Sequence, residues 1–288
     1  MTTPTTPLRQ RMIEDMTIRN MSPLTQAAYV RAVAKFAAHY RTSPDKLTFE
    51  DVRNYQVHLI SRGLQTATII PIMCAIRFFF GTTLGLKGVA EQIPLPRKED
   101  KLPTVLSRND VMRFLKAVSD LRMRTLFITI YAAGLRVSEA VALHASDIDS
   151  GRMVIHIRQA KGRKDRYVML SEQLLTILRD YYKRTRPPVS CLFPGQDREH
   201  PVTSRTVQRA CRDAADAAGL AKTVTVHTLR HCFATHLLEQ GVDIRVIQDL
   251  LGHRHITSTT RYARVALNTI RQIQSPLEFL NIEPRAPA

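Results

Sequence analysis

Between Ile93 and Ser107 the sequence runs IPLPRKEDKLPTVLS, and no single core can absorb that stretch. Its three prolines lack the amide hydrogen that helices and sheets use, and the charge run between them resists burial, which is linker composition. The chain is thereby divided into an N-terminal domain over 1–96, a linker over 97–106 and a C-terminal domain over 107–288. At 288 residues in all, both domains are long enough to bury a core of their own.

The N-terminal part reads as helical. Ser22 followed by Pro23 is an N-cap with proline in the first turn, and Tyr29, Val33, Phe36 and Tyr40 recur at helical spacing. Thr48 and Asp51 form a second cap, with Val52, Tyr55 and Leu59 on one face and Gly63 as the stop. A third helix from about Thr66 to Phe80 is apolar nearly throughout, which suits the centre of a small bundle. After the linker, Ser107 and Asp110 cap a helix carrying Val111, Phe114 and Leu115, and a longer apolar helix from Arg122 to Ala133 stops at Gly134. The period then changes to two at Met153, Ile155 and Ile157. With a turn at Lys161–Gly162 and a return through Tyr167, Val168 and Leu170, that segment predicts a β-hairpin. The expected fold is mainly α: an all-α N-terminal bundle, then a mixed α/β domain with a small antiparallel sheet.

Charge narrows the partner. Lys and Arg number 42 against 25 Asp and Glu, leaving a net charge of +17, spread along the whole chain. A polyanion tracked by both domains accounts for that distribution, so nucleic acid is expected. No long apolar run and no signal peptide are recognised, which argues against a membrane surface and for a cytoplasmic, nucleoid-associated protein. Aromatic residues are 6% with no Trp, which disfavours base stacking and hence single-stranded RNA. Cys74, Cys191, Cys211 and Cys232 are scattered without a CxxC pair and read as reduced core residues.

Six residues carry the chemical expectation. Arg136 sits in AAGLRVSEAVAL three residues before Glu139, either as a structural pair or as a guanidinium held by Glu139 to face a phosphate. His227 and Arg230, in VHTLRHCFATHLLEQG, share a face at a helix start, where a basic first turn opposes the dipole unless an anion joins it. His253 follows Gly252 at an apparent helix C-terminus. Tyr262 is, taken alone, a common surface tyrosine, but it is bracketed by Arg261 and Arg264, cations that favour the phenolate. Lys161 at the hairpin tip is either one more solvated lysine or a mobile acid for a leaving oxygen. Arg205 and Arg209 in TSRTVQRACR fall on one side of a helix that could enter a major groove. A zinc reading of His227, His231, His236, His253 and His255 lacks the glutamate base or the cysteine pair that such sites need. Two guanidiniums, two imidazoles, a lysine and a tyrosine suit phosphoryl transfer without metal or cofactor, since no acidic cluster is present to hold metal ions.

The order Arg136, Lys161, H-T-L-R at His227 to Arg230, L-G-H ending at His253 and T-T-R-Y ending at Tyr262 closely resembles the tyrosine site-specific recombinases, or phage-integrase family. The resemblance covers the second domain, and less tightly the first, which is similar to the family's SAM-like DNA-clamping domain. It implies attack by Tyr262 on a scissile phosphate of double-stranded DNA, giving a 3′-phosphotyrosyl link and a free 5′-hydroxyl at a specific recombination site. Arg136 and Arg230 would clamp the phosphate, Lys161 would be the general acid, His227 would assist proton transfer, His253 would hydrogen-bond the phosphate and Glu139 would support the site. Four protomers would assemble on two DNA sites, each a C-shaped clamp. An apolar stripe after Tyr262, Ile270, Ile273, Leu277 and Leu280, would dock on a neighbour. The second domain is Xer-like, while the stretch from Leu8 to Tyr40 looks like integrases of integrons and transposons, which favours a mobile element over Xer-type chromosome or plasmid dimer resolution. The remaining alternatives are a catalytically inactive DNA-binding protein of the same fold and a type IB topoisomerase-like relaxing enzyme.

Overall fold

Thr6, Ser22 and Thr48 each accept a hydrogen bond from the backbone N–H three residues on, and each opens a helix: α1 (Pro7–Ile18), α2 (Pro23–Tyr40) and α3 (Phe49–Ser61). At Thr48 the Asp51 carboxylate returns the bond to the Thr48 N–H, completing a capping box. The computed structural model describes residues 6–97, 102–158, 165–253 and 256–263 and divides into two units, 1–101 and 102–288. In the first, α4 (Thr66–Phe78) runs on into a π-helical turn over Phe79–Thr83, and a short α5 (Lys87–Gln92), absent from the expectation, packs on that turn.

The segment 66–83 is by length and composition able to cross a membrane, contrary to the expectation that no apolar run is long enough. Its buried face lies inside the bundle. Ile69, Met73, Ile76, Phe79 and Phe80 are buried together with Met12, Met16, Val33, Phe36, Val52 and Leu59.

In the second unit Ser107 and Asp120 cap α6 (Arg108–Ala117) and α7 (Leu121–Ala133), and a very short α8 (Val137–Val141) follows. Three strands, β1 (Ile148–Asp149), β2 (Val154–Ile157) and β3 (Arg166–Met169), form an antiparallel sheet in that order. Ile155, Ile157 and Val168 face the core, as period-two alternation requires, whereas Met153 lies before the strand with φ of 54°. The two-residue β1 was not expected from the sequence. The hairpin tip with Lys161 lies outside the described residues, as does the stripe from Ile270 to Leu280. The helices α9 (Glu172–Thr185), α10 (Ser204–Ala217), α11 (Val226–Glu239), α12 (Ile244–Leu251) and α13 (Thr257–Ala263) complete the unit. Buried α7 packs against both α9 and α11.

Part of the stretch read as linker is fastened down. The Leu106 N–H donates to Cys232 Sγ at 3.2 Å, its carbonyl meets His236 Nε2 at 3.0 Å, and Lys222 Nζ donates to the Val105 carbonyl at 2.8 Å. Leu106 itself is buried, so 102–106 belong to the wall of the second unit. The physical reason is that this end of the linker is apolar while its centre is charged.

Gly134 ends α7 at φ of 64°, and a Cβ built there would collide with the Phe233 ring. Gly134→Ala is therefore expected to destabilise by about 2–3 kcal/mol in urea titration, combining left-handed strain with overpacking. Gly63→Ala, at φ of 72° with open space around it, should cost only about 1 kcal/mol. Equal losses at the two positions would show that the Phe233 contact carries no weight.

Candidate active site

A carboxylate with three arginines around it forms the centre. Glu139 follows the start of α8, where its Oε2 caps the Arg136 N–H at 2.8 Å and its Oε1 accepts from Arg136 Nη1 at 2.6 Å. The second guanidinium comes from β3. Arg166 donates to both Glu139 oxygens, Nη1 to Oε1 at 2.9 Å and Nη2 to Oε2 at 2.8 Å, a bidentate fork. Arg230 from α11 is the third, with Nη1 3.7 Å from Oε2. Desolvation of Glu139 opposes its charge, but the bonds and charge of Arg166, then those of Arg136, outweigh burial and hold the carboxyl at about 2. Glu139 is consequently an anion at any working pH.

The far side of each arginine is held by a helix end. Arg166 Nε donates to the Leu250 carbonyl at 3.0 Å, Arg230 Nη2 to the Leu251 carbonyl at 2.5 Å and Arg136 Nη2 to the Gly252 carbonyl at 3.4 Å. The carbonyls of Leu250 and Leu251 are in the last turn of α12, where no intrahelical N–H satisfies them, and Gly252 is its C-cap, so all three lie at the negative end of the dipole. Arg230 Nη1 also takes the Gly134 carbonyl at 2.6 Å. Arg230 is fully buried, and burial first, then the neighbouring Arg136 charge, pushes its guanidinium down to about 9. Its Nε is buried and makes no hydrogen bond.

Tyr262 lies beside this cluster. It is 0% exposed, packed with Phe233, Ala234, Ile247 and Leu251, so it is no ordinary surface tyrosine. Its ring stacks on His253 at 6.3 Å between centroids, and its hydroxyl is 3.1 Å from His231 Nδ1. His253 Nε2 is 3.3 Å from Arg230 Nη2 and Nδ1 is 2.9 Å from Thr259 Oγ1, which ties α13 to the end of α12. Because a guanidinium only donates, Nε2 accepts here and the His253 proton sits on Nδ1. His227, exposed in the first turn of α11, has its ring 4.3 Å from that of His231.

Of the expected site residues, Arg136, Glu139, Arg230, His253 and Tyr262 thus share one site, with His227 at its edge through His231. Lys161 and Arg264 lie outside the described residues, as does the Arg261 side chain. Arg205 and Arg209 are exposed on α10. A depression of about 500 Å³ beside Arg136 and His227 is lined on that helix by Gln208 and Arg212 instead. Arg166 and His231 were not anticipated as members. Counting back by two from buried Val168 puts Arg166 on the inward face of β3, and a buried arginine demands an anion, so a signal for it existed. Among the described residues no group of three His, Cys, Asp or Glu is arranged to hold a metal ion.

Comparison with known proteins adds to this geometry. A family profile described as the phage integrase family matches residues 104–268, and one described as the phage integrase N-terminal SAM-like domain matches residues 8–87. The chain is 51% identical over 277 residues to the putative integrase/recombinase y4qK of Sinorhizobium fredii, covering 96% of this chain and 90% of that protein. It is 32% identical over 255 residues to the tyrosine recombinase XerA of Thermococcus kodakarensis, covering 87% and 89%. Among solved structures, the Tn1549 transposon integrase in complex with circular intermediate DNA matches with a TM-score of 0.71 at 20% identity, covering 88% of this chain and 94% of that one. At that identity the match speaks for the fold.

Proposed function

Since the chain belongs to the phage integrase family, we propose that it is a tyrosine recombinase that cuts and rejoins DNA at a specific site through Tyr262. The observation that carries this reading is the convergence of three guanidiniums beside a tyrosine whose hydroxyl meets an imidazole. Tyr262 attacks the scissile phosphorus and leaves a 3′-phosphotyrosyl link and a 5′-hydroxyl. Arg136 and Arg230 bind the non-bridging oxygens, and Lys161 on the hairpin protonates the leaving 5′ oxygen. His227 assists proton transfer. His253 donates to the phosphate once a proton is placed on its Nε2, which now faces Arg230. Glu139 holds the arginines and does not react.

Residues 1–96 also bind the DNA, the charged part of the linker ahead of residue 102 connects the two units, and four protomers act on two sites. The exposed arginines of α10, Arg205 and Arg209, contact the duplex beyond the scissile phosphate. Integration, excision or transposition of a mobile element is favoured by the integrase/recombinase relative at 51% identity. Xer-type dimer resolution is the second reading, favoured by the XerA relative at 32%. Repeats or element ends beside the gene support the former, and a gene standing among housekeeping genes the latter.

A nicked suicide substrate, which loses a short piece after cleavage and cannot be religated, tests the chemistry. A covalent protein–DNA adduct is expected at equal rates in EDTA and in magnesium, because guanidiniums supply the charge that metal ions supply in nucleases. A strict divalent requirement for the adduct would overturn the arginine-clamp mechanism.

A further inference from the structure

Resting on the assignment of Tyr262 as nucleophile, we propose that His231 is the general base that takes the Tyr262 proton during cleavage and returns it during rejoining. Phenol is a poor nucleophile at neutral pH, with an unperturbed pKa near 10, so the proton has to go to a positioned acceptor. Such a base lies about 2.6–3.2 Å from the atom it deprotonates, and His231 Nδ1 is 3.1 Å from Tyr262 Oη.

The surroundings favour this direction of transfer. Tyr262 is 0% exposed, so bulk water does not compete for its proton, whereas His231 is only partly buried and an imidazolium there reaches solvent. Among the described residues, charged or titratable groups facing the pair include His227 and Arg230 of α11, with His253 on the ring of Tyr262. His227, one turn earlier on α11, has its ring against the His231 ring, while the tyrosine hydroxyl meets His231 itself. The proposal fixes the resting tautomer, with the proton on Nε2 and a bare Nδ1 accepting from the phenol.

Every atom of the step is accounted for. The Oη–H proton passes to Nδ1 as Oη bonds to phosphorus. The P–O5′ bond breaks with its electron pair on the 5′ oxygen, which takes a proton from the acid assigned to Lys161. In rejoining, the 5′-hydroxyl attacks phosphorus and returns its proton to the neutral amine assigned to Lys161, Oη leaves with its bonding pair, and the imidazolium of His231 gives the proton back.

The test uses the full-length protein and a nicked substrate whose leaving 5′ oxygen is replaced by sulfur, so that departure needs no acid and adduct formation reports nucleophile activation. His231→Asn keeps an acceptor near the Nδ1 position but cannot hold the proton. Adduct formation is expected to fall roughly 100-fold, with the residual adduct still mapping to Tyr262 and DNA affinity unchanged. Wild type should lose rate towards acid pH, where protonation of the base blocks the transfer, and the variant should lack that acid limb. A variant within about threefold of wild type and with an unchanged pH profile overturns the proposal. So does an acid limb that His227→Asn abolishes and His231→Asn keeps. If His231→Asn does not fold, His227→Asn decides, since an acid limb that it abolishes overturns the proposal and one that it keeps supports it. An adduct formed by Tyr262→Phe would instead remove the nucleophile assignment itself.

Discussion

Tyr262→Phe is expected to abolish the covalent adduct while leaving a folded protein that binds its site. The substitution removes one oxygen from a fully buried ring, so the packing on Phe233, Ala234, Ile247 and Leu251 persists while the bond to His231 is lost. Loss of a hydrogen bond of that kind costs about 1 kcal/mol, a shift of a few degrees in melting temperature. Adduct formation, by contrast, should fall below detection, on the order of a million-fold, as when a nucleophile is deleted from a covalent enzyme. Gel analysis of the nicked-substrate reaction reads the loss, and peptide mapping of the wild-type adduct reads the residue. An adduct on Tyr167, Tyr181 or Tyr182 would move the chemistry elsewhere. Tyr181 is the least suited of these, since its hydroxyl is already committed to the Leu192 carbonyl at 3.1 Å.

Arg136→Ala and Arg230→Ala should both slow cleavage by roughly a thousand-fold, yet they should part company in stability. The Arg136 side chain is 21% exposed, and Glu139 keeps Arg166 and Arg230 when it is gone. A loss of about 1 kcal/mol follows. Removing Arg230 strips the Gly134 and Leu251 carbonyls of their donor in a fully buried setting, so about 3–5 kcal/mol is expected. Single-turnover cleavage at saturating DNA, set beside urea unfolding, separates the two effects. Equal stability losses would mean that Arg230 is not the strut that its contacts make it.

The frame of the fold was legible because its signals are local. Ser22, Thr48, Ser107 and Gly134 each bias the backbone within a few residues, and the structure has a cap or stop at each. The inward alternation of Ile155 and Ile157 was local in the same sense. Arg166 and His231 escaped because their partners are remote in the chain. Glu139 lies 27 residues from Arg166, and Tyr262 lies 31 residues from His231. His231 drew notice only as a metal-ligand candidate at i,i+4 from His227, and nothing local could say that its ring meets a phenol. The burial of Tyr262 was equally hidden, because a lone tyrosine between arginines reads as a surface residue until α11 and α12 are seen to enclose it.

The carbonyl ends at α12 and Gly134 have a consequence for the charge balance of the reaction. They fix the arginines in place yet carry no formal charge, so among the described residues three guanidiniums against the single carboxylate of Glu139 leave a positive excess. A phosphodiester brings one negative charge, and the five-coordinate species formed when a tyrosinate adds to it carries two. The described cluster therefore carries a positive excess, and the negative charge added at the crest of the barrier is drawn to it more strongly than is the entering substrate. The scaffold orients its cations with dipoles, so the charge is spent on the phosphorus and not on the means of holding it there.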